Sequence, residues 1–226
     1  MNDELAGVVK EHPDRYVGLA CIAPQQPEAA ADELERAVSE LGFRGVNLES
    51  HCRNEYLDQK KFWPIFERAE KLDVPIYLHP EIPSTSILQG YAEDYGFELA
   101  GPPHGYAAEV SLHAMRLIYS GLFDKYPKLN FILGHMGEGL PFWLTRMDAY
   151  FIKPWKGKKP RIEKKPSDYV KANFTMTISG MFFYPALLCT LLGMGADHIA
   201  FGVDYPYEKN EQAVKFIQEA PISESD

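Results

Sequence analysis

The sequence predicts an α/β protein whose strands are arranged as in a (β/α)8 TIM barrel, and three observations carry that prediction. Six short apolar stretches alternate with stretches of helical composition. Several of the apolar stretches offer no polar face, as expected of parallel strands covered by helices on both sides. Polar residues collect where these stretches end: Asn47, Glu49 and His51 at the second, His79 at the third, His135 at the fourth, Thr175 and Thr177 within the fifth, and Asp204 at the sixth. Barrel enzymes gather side chains from many strands at that face. An open nucleotide-binding sheet concentrates them at one switch point behind a glycine-rich loop. No GxGxxG or GxxxxGK[ST] follows any of the stretches.

The elements follow in order. Residues 15–22 (RYVGLACI) read as a strand, and Pro27 to Leu41, rich in alanine, leucine, glutamate and arginine, as a helix. Residues 43–50 (FRGVNLES) form the second strand. The helix from Asp58 to Leu72 is expected to be capped by Asp58 and bent or shortened by Pro64. The third strand, PIYLHP, stops at Pro80. A polar, glycine-rich excursion over about 81–106 is expected to be a long loop of the lid type, with His104 near its end. A helix over 107–122 leads to the strand NFILGH, and the next helix starts near Leu140 with Pro141 in its first turn, where proline is tolerated. A basic, proline-rich connection over 151–170 precedes the strand 173–179, a helix over 184–193, the strand 198–204 and a last helix over 208–219. Residues 1–226 are expected to form one barrel-like domain, short of the eight strands of a closed barrel.

Composition narrows the partners. The net charge of -9 disfavours nucleic acid and anionic membrane surfaces. No apolar run reaches the roughly 18 residues that a membrane helix needs. The N-terminal MNDELAGVVKEH lacks the basic and apolar regions of a signal peptide. Cys21, Cys52 and Cys189 form no CxxC pair, so reduced thiols and a cytoplasmic location are expected.

The residues with chemical potential lie at strand ends. His79, His135 and Asp204 are imidazoles and a carboxylate on one barrel face, a constellation suited to a divalent ion of the zinc or manganese type. Each also has a plainer explanation: a satisfied core histidine, a residue tying down its own loop, a turn cap. Glu138 either caps the helix near Leu140 or pairs with His135 as a proton shuttle. Arg146 is either a solvated helix residue or a fork for a carboxylate. Asp148 is expected at the surface or in a cap. His113 is expected to pack inside its helix face, and His12 and His198 to be structural. Tyr205 and Tyr207, beside Asp204, are candidates to wall an aromatic pocket.

Three stretches in this order, YLHP, ILGHMGEGLPFWLTRMD and FGVDYPYE, resemble the amidohydrolase superfamily. They resemble most its metal-dependent decarboxylases of γ-resorcylate, 5-carboxyvanillate and aminocarboxymuconate semialdehyde. The upstream stretch PDRYVGLACIAPQQPEAAADELERAVSELGFRGVNL is similar as well, so the resemblance covers nearly the whole chain. It implies a distorted (β/α)8 barrel of amidohydrolase type. It implies one divalent metal, Zn2+ or Mn2+, with His79 and Asp204 as ligands, His135, Glu138 and Asp204 as catalytic residues, and Arg146 and Tyr207 as substrate-binding residues; Asn47, a polar residue at the end of the second strand, is a further substrate-binding candidate. It implies a small aromatic or unsaturated carboxylate as substrate and a homo-dimer or homo-tetramer.

The chain departs from that pattern at its start. The family's Glu-x-His or His-x-His ligand pair is not found near the N-terminus, and the chain opens where the family approaches its second or third strand. About six βα units are therefore expected, with first strands missing and metal binding weak or absent. The expected reaction is metal-dependent, non-oxidative decarboxylation of a hydroxybenzoate-like acid. Two alternatives stand beside it: a metal-dependent hydrolase of a small lactone, ester or amide, and an inactive homologue with a structural or interaction role.

Overall fold

A computed structural model of the chain describes residues 1–92, 95–153, 156 and 161–223. Among the described residues there are six strands: β1 (Ala20–Cys21), β2 (Val46–Glu49), β3 (Ile76–His79), β4 (Phe131–Leu133), β5 (Phe174–Thr177) and β6 (Ile199–Ala200). Each described pairing between these strands is parallel. The alternation with helices is the α/β order expected, and six strands are two short of a (β/α)8 barrel. The strands are shorter than the apolar runs that mark them. The run at 15–22 contributes only Ala20–Cys21 to a sheet, and that at 198–204 only Ile199–Ala200. Among the described residues no helix is long and apolar enough to cross a membrane.

Contacts divide the chain into two compact units, Met1–Phe131 and Ile132–Asp226. In the first, β1, β2 and β3 are neighbours, with Val46 opposite Ile76 and Glu49 opposite His79. Leu34, Phe43, Leu48, Ile65, Phe66 and Leu78 are fully buried around them. The helix α1 (Asn2–Glu11) precedes β1. Its buried Asn2 treats the edge strand as a neighbouring strand would: its amide donates to the Cys21 carbonyl at 2.9 Å and accepts from the Cys21 N–H at 3.0 Å. Edge groups left unpaired are a liability, and one side chain removes two of them.

The helices α2 (Pro27–Ser39) and α3 (Trp63–Leu72) cover this sheet. Two expectations need correction here. Asp58 caps no helix; a short 3-10 turn at Lys60–Phe62 intervenes and Asp58 binds Arg116 instead. The helix starts at Trp63 rather than Asp58, shorter than expected, with Pro64 in its first turn, where its missing N–H has no partner to lose. The excursion over 81–106 is also not structureless. It holds α4 (Thr85–Ala92) and α5 (Phe97–Ala100), and α6 (Gly105–Tyr119) begins before it ends. Polar and glycine residues masked the weak helical periodicity of these short pieces. The unit closes with α7 (Leu122–Lys125).

The second unit holds α8 (Leu140–Met147), α9 (Ala149–Ile152), α10 (Pro166–Asn173), α11 (Tyr184–Met194) and α12 (Asn210–Gln218). Part of the 151–170 connection lies outside the described residues. In β5 and β6, Met176 faces Ile199 and Thr177 faces Ala200. Met136, Ile178, Leu187 and Phe216 form one buried apolar cluster of this unit.

Candidate active site

Within the second unit the site begins with an irregular backbone. After β4, residues 135–139 all adopt positive φ: His135 at 48°, Met136 at 57°, Gly137 at 74°, Glu138 at 54° and Gly139 at 80°. Left-handed backbone costs an L-residue about 1–2 kcal/mol, and three non-glycine residues bear it here. Glycine is required at 137 for a second reason, since a Cβ there would lie 2.3 Å from the Met176 sulfur. Strain of this kind persists where the surroundings over-determine it, and such places cluster at functional sites.

The turn folds His135 back onto Glu138. The imidazole Nδ1–H donates to Glu138 Oε1 at 2.5 Å, and the Glu138 side chain is only 3% exposed. On the other side of the ring, Nε2 lies 3.6 Å from Asp204 Oδ2, an ion-pair distance rather than a direct hydrogen bond. Burial of the ring opposes its charge. The hydrogen bond and charge of Glu138, with Asp204 behind them, outweigh burial and hold the His135 pKa above the ordinary histidine value.

Asp204 itself has φ of 78°, and its carbonyl accepts from the N–H groups of Tyr207 at 2.9 Å and Glu208 at 3.1 Å. The backbone of Asp204 thus holds the turn that follows, while its carboxylate lies beside His135. Gly180, which follows β5, makes the approach of ring and carboxylate feasible. A Cβ at that position would sit 2.9 Å from His135 Cδ2 and 3.1 Å from Asp204 Oδ2. Sequence reasoning passed over Gly180; its signal was a glycine directly behind a strand.

His135 also borders an apolar cavity of about 410 Å³ walled by Met136, Phe142, Met181, Phe183 and Ala186, among others. An imidazole with a buried carboxylate behind it and apolar walls in front suits a flat, apolar ring carrying a few polar groups. Another cavity of the unit, about 470 Å³ beside Ile178, Ile199 and Ile217, has no titratable side chain in its lining among the described residues.

Arg146 lies exposed on α8 and makes no ion pair among the described residues. Asp148, two residues on, is 8% exposed and accepts from the Ser167 N–H at 3.1 Å and hydroxyl at 2.7 Å, so it ties down the start of α10. Tyr207 is 84% exposed. His198 is held by the Phe174 carbonyl at 3.2 Å, the structural role expected.

In the first unit, His79 and Glu49 end adjacent strands in register. His79 Nδ1–H donates to Glu49 Oε2 at 3.1 Å, and the Asn47 amide reaches Glu49 Oε1 at 3.5 Å. In the neutral ring this bond puts the lone pair on Nε2, the arrangement a metal ligand needs. Glu49 was visible as a strand-end residue, but its bond to His79 depends on register. Among the described residues, no group of three or more His, Cys, Asp or Glu side chains is placed to hold a metal ion.

A sequence model described as amidohydrolase matches residues 1–225. The γ-resorcylate decarboxylase of Polaromonas sp. (strain JS666 / ATCC BAA-500) is 41% identical over 233 residues, covering 100% of this chain and 70% of that protein. Among solved structures, 5-carboxyvanillate decarboxylase from Sphingomonas paucimobilis superimposes with a TM-score of 0.93 at 40% identity, over 99% of this chain and 66% of that one. The dihydroxybenzoic acid decarboxylase from Polaromonas sp. JS666, with bound manganese and the inhibitor 2-nitroresorcinol, gives a TM-score of 0.92 at 41% identity, over 99% and 69%. The chain thus spans roughly two thirds of the length of these relatives.

Proposed function

We infer the reaction from kinship and geometry together: the chain belongs to the amidohydrolase family, within its branch of aromatic-acid decarboxylases. The proposed reaction is the metal-dependent, non-oxidative decarboxylation of a small hydroxybenzoate-like acid. The observation that carries it is the His135–Glu138 pair, set 3.6 Å from Asp204 at the edge of an apolar cavity.

His79 and Asp204 are the side chains proposed as metal ligands, with manganese or zinc as the ion; manganese is the one bound in the Polaromonas relative. Two ligands fall short of a full shell, and the described residues alone do not fit a metal ion. The proton chemistry belongs to the chain's own side chains. Asp204 relays a proton, taken up from solvent, to the ring carbon that bears the carboxylate. A C–H bond forms, the C–C bond to the carboxylate breaks, its electron pair returns to the ring, and carbon dioxide leaves. No electron is gained or lost, so no redox partner is needed. His135, backed by Glu138, carries the phenolic proton and balances the charge of that oxygen. Arg146 holds the carboxylate, and Asn47 and Tyr207 border the substrate. A cytoplasmic homo-dimer or homo-tetramer completes the proposal; its support for location is three unpaired cysteines.

The test is carbon dioxide release from γ-resorcylate and 5-carboxyvanillate by the full chain with added Mn2+. Release that is lost in His135→Ala and Asp204→Asn is the expected result. Opening of a lactone or ester with no carbon dioxide would move the protein to the hydrolases. Neither activity in the metal-supplemented chain would sink the enzymatic proposal and favour an interaction role.

A further inference from the structure

Helix α6 carries three polar residues on one stripe, Glu109, His113 and Arg116, spaced i, i+4 and i+7. Each binds one of three consecutive residues in the loop that follows β2. The Tyr56 hydroxyl donates to Glu109 Oε2 at 3.0 Å, and the Leu57 N–H donates to His113 Nε2 at 3.1 Å. The Arg116 fork donates to both oxygens of Asp58 at 3.0 Å while its guanidinium covers the Tyr56 ring at 4.5 Å. Glu109 and His113 are wholly buried.

Glu109 also reaches the loop that follows β3. The buried Ser84 donates its N–H to the same Oε2 at 3.4 Å, and its hydroxyl bonds the Tyr56 hydroxyl at 3.0 Å. Two further bonds join the same loops: His51 Nε2–H to the Ile82 carbonyl at 3.0 Å, and the Thr85 N–H to Asn54 Oδ1 at 2.8 Å. These two loops leave β2 and β3 directly behind Glu49 and His79. Burial is the dominant influence on the Glu109 carboxyl and raises its pKa. A buried polar network is a poor way to gain bulk stability compared with apolar packing. What it supplies is one defined geometry, held by the bonds of Glu109 Oε2, His113 Nε2 and Arg116; Glu109 Oε1 and His113 Nδ1 have no partner among the described residues.

We propose that the Glu109–His113–Arg116 stripe of α6 is a positioning device: it locks the β2 and β3 loops to one another and so sets the Glu49–His79 pair. Its functional weight rests on the proposed role of His79, but its mechanics do not. The β2 loop's own bonds, such as the Cys52–Glu55 bridge, are local, and a fifteen-residue helix is the rigid body that grips it from outside.

Amide hydrogen exchange on the full chain, without substrate or metal, tests the proposal. Glu109→Leu should speed exchange by roughly tenfold or more over residues 50–58 and 81–86 together, the scale of one lost buried hydrogen bond. Residues 27–39 and 63–72 should exchange as in the parent. Glu109→Gln, which keeps an acceptor oxygen for Tyr56 and Ser84, should restore protection and the parent resonances of the His79 ring. Equal acceleration throughout Met1–Phe131, or acceleration of one loop only, would overturn the proposal. Should Glu109→Leu not fold, Tyr56→Phe carries the test. It must loosen residues 81–86, across the loop from its own position, and an effect confined to 50–58 would overturn the lock equally. Loss of decarboxylation leaves these outcomes unchanged, so the two proposals fail separately.

Discussion

His135 and Glu138 are three residues apart in a turn that is not a right-handed helix, yet their side chains meet at 2.5 Å. The left-handed run from 135 to 139 makes this contact, and Asp204 faces the opposite edge of the same ring. The imidazole is thus gripped by a buried carboxylate behind and approached by a partly exposed one in front. Removing the rear charge tests the pair. Glu138→Gln should lower kcat for carbon dioxide release by about 10²-fold or more, the usual scale for general acid–base groups, while the thermal midpoint changes little. An unchanged kcat would reduce Glu138 to a turn residue.

Gly180 separates geometry from stability. Gly180→Ala places a methyl 2.9 Å from the His135 ring and 3.1 Å from Asp204, on a backbone with φ of 63°. The two side chains must move apart, and a displacement near 1 Å costs on the order of 100-fold in rate. Steady-state kinetics beside a urea melt checks this: kcat should collapse by more than the melt predicts.

Gly137→Ala acts on the core instead. Its Cβ would meet the buried Met176 sulfur at 2.3 Å with φ of 74°. Overpacking and left-handed strain together should destabilise the protein by about 2–4 kcal/mol, read as a lower urea midpoint. A midpoint equal to the parent's would mean that the turn has another conformation.

His113 makes stability depend on pH. Burial, with repulsion from Arg116 and His51, lowers its pKa from 6.5 to about 3. The folded chain keeps it neutral, whereas the unfolded chain binds a proton below pH 6.5. Its contribution is therefore complete above that pH and is lost as pH falls toward 3, at up to about 1.4 kcal/mol per pH unit. Urea melts across this range should show stability falling with acid, and His113→Gln should flatten the slope. Equal slopes in parent and variant would contradict the buried neutral histidine.

Arg146 is exposed and unpaired among the described residues, so Arg146→Lys should leave stability within about 0.5 kcal/mol of the parent. A planar fork lost at a carboxylate should raise KM by roughly tenfold. A KM equal to the parent's would remove Arg146 from the substrate.

Much of the candidate site was legible because its residues stand at the ends of apolar runs. His79 ends β3, as the sequence placed it, whereas His135 and Asp204 lie at the ends of their apolar runs but beyond the ends of β4 and β6. The His135–Glu138 contact was one of two readings, because spacing alone cannot say whether a glutamate behind a strand caps a helix or turns back. Glu109 and Arg116 were invisible as partners of the 56–58 loop. They lie more than fifty residues from it in sequence, and their stripe looks like ordinary helix patterning until the loop is laid against it.

The sequence by itself determined the α/β alternation, the six strands and the family, because these follow from local periodicity and from motifs a few residues long. Tertiary structure decided which side chains meet: the left-handed turn that joins His135 to Glu138, the glycine that admits Asp204, the register that pairs Glu49 with His79, and the helix that grips two loops. Those contacts depend on backbone handedness and on register between distant segments. Neither is encoded at any single position, and packing fixes both at once.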